Sequence, residues 1–80
     1  MLTFIRKHFR QAEECFARGF WDEAENNYQR VIEAFDRHLT LSHRDELNRT
    51  EAIRKLQEIS LAMHRQDDAE IWGSLLNEAS

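Results

Sequence analysis

The chain has 80 residues, with 11 Lys and Arg against 15 Asp and Glu, a net charge of −4 and no proline. That length fits one small domain with a thin core, in which roughly 60–65% of the unfolded chain's surface is buried. The acidic balance argues against a nucleic-acid binder, which needs clustered positive charge, and a 41% apolar share argues against disorder.

Only Gly19 and Gly73 punctuate the chain, which favours long helices over strands and their turns. Leu2, Ile5, Phe9, Ala12 and Phe16 recur at intervals of three and four, a helical stripe over about residues 2–18. Gly19 follows where a left-handed C-terminal residue costs glycine least. A second helix begins near Trp21, with Asp22 and Glu23 at the positive end of its dipole. Its stripe is Trp21, Ala24, Tyr28, Val31 and Phe35, and Ile32 and Leu39 widen it to a second face. A helix with two apolar faces touches neighbours on both sides, so this one is expected to be central. The short link between the two makes them an antiparallel hairpin over about residues 2–38.

The stretch "HLTLSHRDEL" breaks the pattern. Ser42, three before Asp45, signals a third helix over about 43–65. It carries Leu47, Ala52, Ile53, Leu56, Ile59, Ala62 and Met63. Beyond it the phase resets to Ala69, Trp72, Leu75, Leu76 and Ala79, and Asp67 with Glu70 reads as an N-cap and capping box. A short fourth helix over about 68–78 is expected, a single bent third helix being the alternative. The predicted class is all-α: one domain over residues 1–80, an antiparallel bundle of three long helices and a short C-terminal one.

The stretch "ARGFWDEAENNYQRVI" resembles the tetratricopeptide (TPR) helical hairpin. Gly19 stands at the turn, Trp21 two later, Ala24 five after the glycine and Tyr28 four after that, with Ala12 as the small residue of the first helix. Departures from the family's pattern are Cys15 for an aromatic, Val31 for an alanine, Phe20 for a polar residue, and no closing proline. The second half repeats only the alanine, as Ala69. Order and length are also similar to the microtubule-interacting-and-transport (MIT) domain: "DEAENNYQRVIEAF" and "EAIRKLQEI" look like its second and third helices. Small TPR-like export chaperones share the general character. These resemblances imply a module that binds a helix or extended segment of a partner protein.

Catalytic and metal chemistry find little support. His38 and His43 are five apart across a link, whereas a helical zinc pair wants four; no metal site and no cofactor are expected. Cys15, the one cysteine, excludes an internal disulfide, fits a reducing compartment and reads as a small buried hydrophobe. His8 is two turns from it, roughly 10 Å, too far to act as its base. Glu13–Glu14 and Asp67–Asp68 are adjacent pairs that point apart on a helix, and no phosphate-cradling loop or nucleophile elbow is present. The protein is therefore expected not to be an enzyme. The N-terminus lacks the apolar run of a signal peptide, and no stretch approaches the roughly 20 apolar residues of a membrane span, so a cytoplasmic location is expected.

The leading expectation is an adaptor or chaperone that seats a partner segment in a groove between the first hairpin and the third helix. Phe9, Phe16, Trp21, Tyr28 and Phe35 are assigned to the scaffold. Phe4, Phe20, Ile32, Leu39 and Trp72 are assigned to partner contact, with Arg6, Lys7 and Arg10 as charge at the rim. A second expectation is a homodimer that seals the open face, since solenoid units need neighbours to cover them. A third, a nucleic-acid regulator, would use Arg6, Lys7 and Arg10 with Arg49, Arg54 and Lys55, although no nucleic acid is expected from the overall charge. Arg6, Lys7 and Arg10 meet no acid in the first twelve residues, whereas Asp67, Asp68, Glu70 and Glu78 follow the last base, Arg65. Solvated surface is the plain reading of that asymmetry; a basic contact patch or a head-to-tail contact is the sharper one.

Overall fold

The computed structural model describes residues 2–37 and 41–79. They form four helices: α1 (Leu2–Ala17), α2 (Trp21–Asp36), α3 (His43–Ala62) and α4 (Gln66–Ala79). The all-helical class holds among the described residues, which contain no strand. The fourth helix is not short. At 14 residues it approaches the 16 of α1 and of α2, and it begins at Gln66.

That earlier start has a local cause. α1 ends in a Schellman turn: the Gly19 N–H donates to the Phe16 carbonyl at 3.0 Å and the Phe20 N–H to the Cys15 carbonyl at 2.9 Å. Gly19 sits at φ +76°, as its position requires. α3 ends the same way, with the His64 N–H on the Leu61 carbonyl at 3.1 Å and the Arg65 N–H on the Ser60 carbonyl at 2.8 Å. Here the left-handed residue is His64, at φ 60°. In both hairpins the next helix starts two residues after the left-handed one, and the buried alanine comes five after it, Ala24 and Ala69. Asp67 thus lies inside the first turn of α4 and is not the cap that its spacing suggests. At α3 the expected cap is present: the Ser42 hydroxyl accepts the Asp45 N–H at 3.2 Å.

α2 packs on both α1 and α3, α4 packs on α3, and α1 only approaches α3 lightly. The result is a zigzag stack of 34 × 27 × 16 Å. Its core runs along α2 and α3, where Ala24, Tyr28, Ala52, Ile53, Leu56 and Ile59 are fully enclosed with Ala12 of α1. The small alanines let the backbones approach, and aromatic rings fill the space beside them: Phe9 meets Tyr28 edge-on at 6.0 Å and Phe16 meets Trp21 edge-on at 5.4 Å. A second cluster, Ile5, Val31 and Phe35, closes the other end of the first hairpin.

Candidate interaction surface

Two side-chain bridges join α1 to α3. Arg6 donates through Nε and Nη2 to the buried Asp45 carboxylate at 3.3 Å, and the Ser42 hydroxyl donates to the same group at 3.0 Å. The Lys55 ammonium lies 4.2 Å over the Phe16 ring. The bridges are ten residues apart on each helix, from 6 to 16 and from 45 to 55, so α1 and α3 run parallel and the seam between them is tied at both ends. The groove expected between the first hairpin and the third helix is therefore occupied by the chain's own side chains.

α2 and α4 also run parallel, because each is antiparallel to the helix before it, but they do not pack on one another. Glu25, Gln29, Arg65, Asp68, Ile71 and Trp72 line the gap. An Arg65–Glu25 ion pair closes one end, and Arg65 also approaches Asp68 at 3.7 Å. Trp72 is half-buried, one side on the core, whereas Ile71 is 58% exposed. The groove thus has an apolar floor and a rim with two carboxylates and one guanidinium.

The residues assigned to partner contact fall in different places. Phe4 is 63% exposed and meets only His8, edge-on at 4.3 Å, among the ring contacts of the described residues. Phe20 is half-exposed beside Trp21 and Met63 at the first hairpin turn. Trp72 lines the α2–α4 groove. Ile32 is 7% exposed and belongs to the core, since the second face of α2 is spent on α3. Leu39 lies outside the described residues. Arg6 is engaged by Asp45, while Lys7 and Arg10 are exposed. Leu47, Leu61 and Ile71 are exposed apolar residues that the assignment omits. Ile71 was detectable in principle, because it falls off the Ala69, Trp72, Leu75, Leu76 stripe.

Tyr28, Cys15 and His8 each meet a polar neighbour within the chain. The Tyr28 hydroxyl donates to Glu13 Oε2 at 2.6 Å; burial foremost, then that carboxylate, pushes its pKa well above the ordinary tyrosine range. Cys15 is half-buried against the core rather than enclosed. Desolvation and the nearby Glu23, 3.8 Å away, raise its thiol pKa, the opposite of an activated nucleophile. His8 pairs with Asn27 at 3.3 Å. Among the described residues no group of three or more His, Cys, Asp or Glu could hold a metal ion, and no helix is long and apolar enough to cross a membrane. No family model, curated protein or solved structure matches the chain.

Proposed function

We propose that the protein is a non-enzymatic interaction module that seats an amphipathic helix of a partner protein in the groove between α2 and α4. One observation carries this reading: two parallel helices held apart, with Trp72 and the largely exposed Ile71 between them. A gap of this kind suits the helix-in-groove mode of recognition, with apolar anchors on the floor and charge at the rim. The rim holds two carboxylates, Glu25 and Asp68, against one base, Arg65. The partner helix is accordingly one with basic residues beside its apolar stripe. The resemblance to TPR and MIT hairpins supports a binding role of this class.

The nucleic-acid reading is weakened because four of its six bases are paired within the chain, Lys7 and Arg10 excepted. Arg6 is bonded to Asp45, Arg49 to Asp36 at 2.8 Å, and Arg54 and Lys55 both reach Glu51.

A test uses a model amphipathic helix of leucine and lysine and a scrambled peptide of the same composition, titrated into isotope-labelled protein. The amphipathic peptide is expected to shift the amide signals of Gln29, Ile71 and Trp72, and Trp72→Ala to weaken binding by roughly tenfold or more. Equal shifts with the scrambled peptide, or shifts confined to other helices, would overturn the reading.

A further inference from the structure

The two terminal helices of the stack present opposite charge. On the outer face of α1, Phe4, Lys7, Arg10 and Glu14 are exposed. On the outer face of α4 the exposed residues are Asp67, Glu70, Ile71, Ser74 and Glu78. Among the described residues, Lys7 and Arg10 take part in no ion pair, and neither do Asp67, Glu70 and Glu78. This separates them from Arg6, Arg49, Arg54, Lys55 and Arg65, all of which are paired within the chain. On the outer face of α1 the unpaired bases Lys7 and Arg10 outnumber the one acid, Glu14, and on the outer face of α4 the unpaired charges are all acidic. Each face also carries one large exposed apolar residue, Phe4 at 63% and Ile71 at 58%.

We infer that copies of this chain associate head to tail, the outer face of α4 in one copy docking antiparallel on the outer face of α1 in the next. The register follows from the sequence. Lys7 and Arg10 are three apart on α1, and Asp67 and Glu70 three apart on α4, so an antiparallel crossing sets Lys7 opposite Glu70 and Arg10 opposite Asp67. It also continues the alternation of direction that already runs from α1 to α4. The contact is heterologous, joining unlike faces, so it adds copies without closing a dimer. It is also small. A 14-residue helix is about 21 Å long and roughly 10 Å wide, far less than the ~800 Å² per partner of a stable interface. Association is therefore weak, visible at high protein concentration and sensitive to salt. Ile71 lies on the edge that this face shares with the α2–α4 groove, but Lys7, Arg10, Asp67 and Glu70 do not line the groove, so exchanging these charges tests the contact separately from peptide binding.

The experiment is sedimentation at low salt over a wide range of concentration, with wild type, Lys7→Glu/Arg10→Glu, Asp67→Lys/Glu70→Lys and an equimolar mixture of the two variants. Wild type is expected to rise in average mass with concentration and to return to monomer at high salt. Each variant alone is expected to stay monomeric, and the mixture to regain association, because each variant restores the complement of the other. Circular dichroism confirms that the variants remain helical. The single pair Lys7→Glu and Glu70→Lys, which leaves Asp67 in the first turn of α4, repeats the test if the double variant at 67 and 70 loses helicity. A wild type that is monomeric throughout, a variant that still associates, or a mixture that does not recover would each overturn the inference.

Discussion

Tyr28 links the core to the outer surface of α1. Its ring is enclosed by the core, and its hydroxyl reaches outward to Glu13 on α1. The raised pKa has a consequence with a definite sign. The neutral phenol is favoured in the folded state, so its contribution to stability is fully present below the ordinary tyrosine value of about 10 and declines as pH rises beyond it, where the unfolded chain ionises first. Tyr28→Phe is expected to cost about 1 kcal/mol at pH 7, the worth of one hydrogen bond, and to show a shallower loss of stability between pH 9.5 and 11. Urea unfolding of both proteins across that range measures it; parallel alkaline slopes would show that Tyr28 does not carry the effect. Of this site the sequence revealed only the ring: the stripe placed Tyr28 inside, but nothing in the spacing paired it with Glu13, fifteen residues away. The same holds for Asp45, readable as part of a cap beside Ser42, whose burial depends on Arg6 arriving from a different helix.

At the scale of the elements, the first hairpin was legible and the second was not. Gly19 announces its turn, whereas the matching position after α3 is His64, a residue type that tolerates the left-handed region without advertising it. Without a glycine to mark the stop, the third helix reads too long and the fourth starts too late. The second hairpin also inverts a size relation. Ala12 and Tyr28 stand seven before and nine after Gly19; the residues at those offsets from His64 are Gln57 and Gly73. Gln57 occupies the space a Cβ at position 73 would need, its Nε2 lying 2.7 Å from that point, and it donates to the Ala69 carbonyl at 3.3 Å. A reader looking for a repeated Ala–Tyr pair misses a pair with large and small exchanged. The shared turn predicts opposite effects of opposite substitutions. His64→Gly relieves left-handed strain and is expected to stabilise the fold by about 1 kcal/mol, whereas Gly19→Ala destabilises it by about 1–2 kcal/mol. For a chain of this size that is a rise and a fall of several degrees in Tm, so thermal melts decide it.

Among the described residues the molecule is a stack of helices in which α2 packs between α1 and α3, α3 packs between α2 and α4, and α1 also touches α3 lightly. Periodicity identified α2 as central because it bears two apolar faces, yet Ile32 on the second face was assigned to a partner and is core instead. It did not reveal which helices stay apart. That depends on turn geometry and on two long-range bridges, Arg6–Asp45 and Phe16–Lys55, which tie α1 to α3, while a gap is left between α2 and α4. Trp72 stood out in the sequence for being surplus to a thin core, and it lines the groove; Gln29 and Ile71, which line it too, did not stand out. Trp72 also provides the most direct measurement. In a Trp21→Phe protein it is the sole tryptophan, and its emission reports on the groove alone. Addition of the leucine–lysine helix is expected to move that emission to shorter wavelength in a saturable manner as water leaves the indole. An emission unchanged at saturating peptide, with the fold intact by circular dichroism, would contradict the groove as the binding site.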